Sequence, residues 1–313
     1  MQSLLQSTIG LGPDPIHPSN LSGRVALVVG GAMGIGFEVS RALANAGCRV
    51  LVSPGAEVEW HACDMGDLAQ VREVFTRLVE EGGLDRLDYL VLSAGINANE
   101  FGLDRDGIDR HFGVNFLGQF YVVNLLWPVL RKTARAMSGK PRVVFEASEM
   151  HRTAPGNVHF ASLEEINDES LGPAERYGRT KLAMILFAKY GLAGRVIKDN
   201  EDDILAVSVH PGAVNTAMQQ QWKDAYPGLT GKLLTWAMLA FGRDVKQGSY
   251  SALWALTSDK VQNGWYYKDL DQPGKESSQA SDENLGAALW DLSHRIIKEK
   301  LGEDALADWK ACA

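Results

Sequence analysis

The chain has 313 residues, 45% hydrophobic and 22% charged, a balance that excludes a disordered chain and fits one α/β domain with extensions. Its formal net charge is −8, from 31 basic and 39 acidic residues with no basic tract, which argues against nucleic acid as the main partner. The three cysteines, Cys48, Cys63 and Cys312, are too few for a disulfide framework and fit a reducing, cytoplasmic setting.

Residues 1–22 are rich in Gly, Pro and Ser and read as an arm; Met1 to Pro18 has no basic region followed by an apolar run, so it does not read as a secretory signal. Arg24 to Val29 is a short apolar run ending in glycines, the pattern of a buried parallel strand. Ile35 to Ala46 carries apolar residues at helical spacing and Gly47 ends it. Arg49 to Val52 is a second strand and Val58 to Ala62 a third. Asp67 caps the next helix, with Gln70 as its capping-box partner and Leu68, Val71, Phe75 and Leu78 as its apolar stripe. Asp88 to Leu92 is a strand. Ile108 to Leu130 is a long helix expected to bend or break near Pro128. Arg142 to Ala147, Ile204 to Val209 and Gly264 to Tyr267 read as strands; Glu175 to Tyr190, 245–257 and Asn284 to Leu301 read as helices.

Strand and helix alternate, so the expected fold is α/β: a Rossmann-like, doubly wound parallel sheet in a single domain over 23–270, with a C-terminal helical extension over 271–313. No stretch approaches the roughly 20 apolar residues of a membrane-spanning helix. The most apolar window, Leu229 to Phe241, reads either as a partly buried helix or as an interfacial or lid helix in contact with lipid. His61 and Cys63 are a lone potential metal pair without a second pair at ligand spacing, so no metal is assigned.

The first strand runs into Val29-Gly30-Gly31-Ala32-Met33-Gly34-Ile35-Gly36. Glycines at a strand-to-helix turn let backbone N–H groups approach a pyrophosphate, and the helix N-terminus adds favourable partial charge. The plainer reading is a tight turn with close helix packing. The spacing Gly-x3-Gly-x-Gly resembles the short-chain dehydrogenase/reductase superfamily, with Val29 in place of the family's threonine. Four further segments extend the resemblance in the family's order. They are Leu92-Ser93-Ala94-Gly95; Asn115 in the long helix; Ser148 after the fifth strand with Tyr177-Gly-Arg-Thr-Lys181 beyond it; and His210-Pro211-Gly212-Ala-Val-Asn-Thr216. His151 in Ser-x-x-His, and the long polar stretch 151–174, resemble retinol-dehydrogenase-like members, and the C-terminal part resembles uncharacterised fungal ones.

The resemblance implies an NAD(P)-dependent oxidoreductase interconverting a carbonyl and an alcohol on an apolar small molecule. Tyr177 would be the general acid/base. Lys181, four residues on and so on the same helix face, would favour its phenolate and bond the cofactor ribose. Ser148 would hold the substrate oxygen, and Asn115 would position a water linking Lys181 to solvent. The cofactor would contact Gly30, Gly34, Ile35, Gly36, Asp64, Ala94, Gly95, Tyr177, Lys181, Pro211, Gly212 and Thr216. Taken singly, each catalytic residue has a bland alternative: Tyr177 as packing, Lys181 as a solvated charge, Asn115 as a satisfied core polar group, Ser148 as a strand-end cap. A Ser148–His151 hydrolase lacks a nucleophile elbow, and His151 reads as part of the active-site rim.

One segment departs from the family. Only Ser53-Pro-Gly-Ala-Glu57 separates Val52 from Val58, where a helix is expected. A parallel crossover usually takes about 10 to 12 residues or more. The alternatives are a hairpin at Pro54-Gly55, a lost third strand, or a truncated gene model, and each leaves room for a catalytically degenerate dinucleotide-binding scaffold. Ser53 is neither the acid that binds ribose hydroxyls nor the arginine that binds a 2′-phosphate, and Asp64 would reach the adenine only if the third strand stays parallel. The retinol-dehydrogenase-like resemblance leans to NADP. It also implies pairing of two copies through the helices bearing Asn115 and Tyr177, which the C-terminal extension could block.

Overall fold

Strand β1 (Val25–Val29) is apolar and buried at every position and lies inside the sheet, as a strand covered on both faces must be. The computed structural model describes residues 13–51, 58–59, 61–136, 140–214 and 243–311. The sheet order is β3-β2-β1-β4-β5-β6-β7-β8, with β2 Arg49–Leu51, β3 Val58–Glu59, β4 Tyr89–Leu92, β5 Arg142–Glu146, β6 Leu205–Val209, β7 Tyr266–Asp269 and β8 Gln272–Pro273. All neighbouring pairs are parallel except β7 and β8. The expected doubly wound sheet is thus present, with an antiparallel edge strand added beyond β7.

The main helices are α1 (Gly34–Asn45), α2 (Leu68–Glu80), α3 (Arg110–Ala136), α4 (Pro173–Leu186), α5 (Val245–Thr257) and α6 (Glu283–Leu301). Alternation along β1 sorts them. Ala26 and Val28 face a core shared with α1 and α5, whereas Val25, Leu27 and Val29 face one built from α2, α3, α4 and α6. Leu285, Leu289, Trp290, Ile296 and Ile297 of α6 belong to that second core, so the C-terminal extension is part of the folded body.

Four sequence expectations are corrected. First, β3 is parallel to β2, with Val58 beside Val50 and Glu59 beside Leu51, so there is no hairpin and no lost strand. A crossover of about 10 to 12 residues is what full-length strands need. With strands this short, the link returns only about one residue and one interstrand spacing, roughly 6 Å, which a few residues reach. Second, Asp67 caps α2 by accepting from Gln70 N at 2.9 Å, but the Gln70 side chain turns back to the N–H of Asp64 and so closes no reciprocal box. Third, α3 does not end at Pro128. It runs on to Ala136, with Trp127, Val129 and Leu130 buried around the proline. The distortion lies upstream, in a π-helical stretch at Gly113–Leu117 that carries Asn115. Fourth, α3 is long and apolar enough to cross a membrane, but 83% of its most apolar window is buried inside the fold, as in a core helix.

The face expected to pair a second copy is occupied by the chain's own C-terminal segment. Tyr121 Oη donates to Ala305 O at 2.9 Å, Asn124 Nδ2 to Ala307 O at 2.9 Å, and Arg131 Nη1 to Ala311 O at 3.1 Å. Trp309 packs against Trp290, Trp127 and Phe120 at 5.1, 5.7 and 6.0 Å. On α4, the run Gly178 to Leu186 is buried throughout. Thr216, the 53–57 link and the apolar window 229–241 lie outside the described residues.

Candidate active site

The C-terminal ends of β1, β4, β5 and β6 meet at one edge of the sheet, where ligands bind in folds of this winding. The glycine turn after β1 has the conformation that its composition predicts. Gly30 has φ +83°, and a Cβ there would lie 2.5 Å from Ala94 N. A Cβ on Gly36 would lie 2.5 Å from Gly30 O and 3.0 Å from Ser93 Oγ. The turn therefore closes against the Leu92-Ser93-Ala94-Gly95 segment because neither glycine has a side chain. Helix α1 begins with no side-chain cap and no acidic residue in its first turn, so its N–H groups remain available to an anion. Behind the turn is a cavity of about 230 Å³ lined by β1, Gly30 to Ala32, His61 to Cys63, Phe75 and Ala94. The parallel β3 puts Asp64 at this end of the sheet, exposed beside the lining residue Cys63, with Oδ1 accepting from Gly66 N at 3.0 Å. The open N–H groups of this turn suit the phosphates of a dinucleotide.

At the other half of the edge, Ser148 caps a 3-10 turn (Glu149–Thr153), its Oγ accepting from Met150 N at 3.1 Å. That turn lies directly against α4. A Cβ on Gly178 would fall 2.3 Å from Thr153 Oγ1 and 2.6 Å from Met150 O, and Thr153 Oγ1 donates to Ala174 O at 2.7 Å. Glycine after Tyr177 is what lets the two segments touch. Tyr177 itself is half-buried, and burial first, then the charge of Glu146, hold its hydroxyl above an ordinary phenol. Lys181 is 6% exposed; its Nζ donates to Glu146 O at 2.6 Å and lies 5.4 Å from the centre of the Tyr177 ring. Burial lowers its pKa and the charge of Glu146 opposes that. The ammonium is aimed at the β5 backbone and lies beside the Tyr177 ring, where a positive charge opposes the upward push of burial and Glu146 on the phenol.

Asn115 is fully buried. Its Oδ1 accepts from Ile96 N at 2.7 Å, and its Nδ2 donates to Ile96 O at 2.9 Å and Thr180 Oγ1 at 3.2 Å. The side chain pins the loop after Gly95 to α4 and does not reach Lys181. The carbonyl of Asn115 accepts from Gln119 Nε2 at 2.7 Å, and the same amide donates to Ala94 O at 2.7 Å. Gly212 has φ +89° and rests on Arg243, which donates to Pro211 O at 3.2 Å and pairs with Asp269 at 2.6 Å.

His151 is not at the rim. It is fully buried, with Nδ1 2.8 Å from Ser148 O and Nε2 accepting from Ser277 N at 3.1 Å. Its two ring nitrogens serve backbone groups, so it activates no serine and instead ties the 277 segment to the Ser148 turn. Sequence reasoning missed Glu146, Glu149, Tyr266 and Arg243. Tyr266 Oη donates to Glu149 Oε1 at 2.7 Å and braces the same turn from β7. Glu146 had left a signal: a carboxylate at the end of an otherwise apolar buried strand needs a reason.

Residues 24–227 match the family model described as short chain dehydrogenase. The bli-4 protein of Neurospora crassa is 30% identical over 94% of this chain and 76% of its own length. The human polyprenol dehydrogenase is 26% identical over 94% of this chain and 90% of its own length. Among solved structures, an uncharacterised protein from Mycobacterium paratuberculosis superposes with a TM-score of 0.67 at 26% identity, covering 89% of this chain and 94% of that one.

Proposed function

The chain belongs to the short chain dehydrogenase family, and on that premise we propose that it is an oxidoreductase interconverting a carbonyl and an alcohol on an apolar small molecule with a nicotinamide dinucleotide. The observation that carries this reading is the meeting, at one sheet edge, of a glycine cradle with open N–H groups and the Tyr177–Lys181 pair. Gly30, Gly34, Ile35 and Gly36 would hold the pyrophosphate, the cavity the adenosine, and Ala94, Gly95, Pro211 and Gly212 the nicotinamide end. When bound, the nicotinamide ring supplies or accepts the hydride. NADP is the proposed form: the described residues that line the cavity include no carboxylate to repel a 2′-phosphate, and Asp64 beside them turns its Oδ1 to Gly66 N.

The protein's own residues would handle the proton. Tyr177, whose hydroxyl is held protonated by burial, would donate to the substrate oxygen during reduction and take that proton back during oxidation. Lys181 beside it would stabilise the phenolate left behind. Ser148 Oγ would hold the substrate oxygen with the hydroxyl hydrogen that its bond to Met150 N leaves unused. The name of the polyprenol dehydrogenase relative supports an apolar alcohol as substrate class. A catalytically degenerate scaffold is not favoured: β3 stays parallel to β2 despite the short link, and the relatives are named as oxidoreductases and dehydrogenases.

The test is Tyr177→Phe. It is expected to abolish turnover of apolar alcohols or ketones while NADPH and NADH still quench tryptophan fluorescence as in the wild type. A wild-type protein that binds neither dinucleotide overturns the reading.

A further inference from the structure

Glu146 ends β5 two residues before Ser148 and is 6% exposed. Its Oε2 accepts from Ser93 Oγ at 2.7 Å, and its Oε1 has no hydrogen-bond partner among the described residues. Its main-chain oxygen holds Lys181 Nζ at 2.6 Å. Ser93 Oγ in turn stands where a Cβ on Gly36 would meet it at 3.0 Å, so the carboxyl is lodged between the glycine turn and the Tyr177–Lys181 pair. A buried carboxyl with one empty oxygen is costly, and apolar residues of similar size would fill this place at no such cost.

The groups that face it are few. From α4 come Lys181 and Tyr177, on both of which its charge acts. From β4 comes Ser93, and on β6 its register partner is the apolar Val209. His210, just after β6, accepts from Glu149 N at 3.4 Å. Among the described residues the basic side chain that acts on Glu146 is thus Lys181, and burial favours the neutral form of each while their mutual attraction favours the charged forms.

We propose that Glu146 is a positioning residue of this site: its carboxylate, anchored by Ser93, keeps Lys181 an ammonium beside Tyr177. The inference rests on the reading above for its catalytic meaning, though not for its electrostatics. A buried lysine without a counter-charge sheds its proton near neutrality, and a phenol beside a neutral amine is a poorer acid. The carboxylate at the end of β5 prevents that, while the backbone carbonyl of the same residue fixes where the ammonium sits.

The experiment is a pH titration of protein labelled with 13C-lysine, the Lys181 signal being identified by its loss in Lys181→Arg. In Glu146→Gln, which keeps size and an acceptor for Ser93 but removes the charge, the Lys181 midpoint is expected to fall by about one pH unit or more. The alkaline limb of kcat should move down with it, while dinucleotide affinity stays as in the wild type. An unmoved midpoint in the folded variant overturns the proposal. A midpoint that moves in a protein with no turnover overturns the oxidoreductase reading and leaves this one standing. Should Glu146→Gln not fold, Ser93→Ala removes the anchoring donor instead, and a smaller shift in the same direction is expected; no shift there also overturns the proposal.

Discussion

Gly178 sits so close to Thr153 that a Cβ on it would fall 2.3 Å from the threonine Oγ1. This contact sets the Ser148 turn against the Tyr177 turn of α4, and with it the spacing between the two residues that would share the substrate oxygen. Gly178→Ala must push the turn away, because Met150 O and Ala154 N, both backbone atoms, block the same space at 2.6 and 2.8 Å. The expected result is a loss of about 1–3 kcal/mol of stability and a fall in kcat of roughly 100-fold, since displacements near 1 Å are that expensive to a reacting geometry. Thermal unfolding and steady-state kinetics on the variant check it; a variant with wild-type kcat would show that this contact does not set the reacting distance.

Gly30→Ala addresses the cofactor half alone. The residue has φ +83°, and its Cβ would lie 2.5 Å from Ala94 N, so backbone strain and a backbone clash coincide. Dinucleotide binding should weaken by at least about tenfold, corresponding to roughly 1.4 kcal/mol, in a protein that still folds. Fluorescence titration reads this without any substrate, and unchanged affinity would remove the turn from the binding site.

Stability should fall as pH drops from about 6.5 towards 4. His210 is held down to about 4 from its ordinary 6.5, chiefly by burial. Across that window the unfolded chain binds a proton that the folded protein refuses, so unfolding is favoured as pH falls and the stabilisation is intact above 6.5. His210→Asn keeps an acceptor for the Glu149 N–H and removes the titration. Its melting temperature should decline less over the same range than that of the wild type, by on the order of a few °C. Parallel pH curves for the two proteins would exclude His210 as the source.

The C-terminal segment should keep the protein monomeric. Trp309 closes the α3 and α6 face through its ring contacts, and its Nε1 donates to His294 Nε2 at 3.0 Å. Sedimentation of the full chain at micromolar concentration is expected to give a single monomer species. Trp309→Ala should cost about 2–4 kcal/mol and expose the apolar helix face, giving dimers or larger species. A wild-type dimer would mean that a different surface does the pairing.

The parallel sheet, the glycine turn and the placing of Tyr177 and Lys181 side by side on one helix were legible in the sequence because each rests on a local rule. A five-residue apolar run rich in valine and ended by glycines, such as Val25–Val29, reads as a strand covered on both faces, and glycines at a strand end, with their positive φ, report a turn that side chains would block. Three things were not legible, and all depend on atoms distant in the chain. The parallel placement of β3, with Val58 beside Val50, is a pairing with a neighbouring strand that the length of the link does not reveal. The path of α3 past Pro128 follows from the core around it, which outweighs one lost backbone hydrogen bond. The electrostatics around Tyr177 follow from its burial and then from Glu146, 31 positions earlier in the numbering and invisible as a partner until β5 and α4 are brought together. Sequence patterns thus determined which groups the protein can bring to its sheet edge. Tertiary packing decided which of them sit in low dielectric beside one another, and there burial first, then a neighbour's charge, sets where each proton resides.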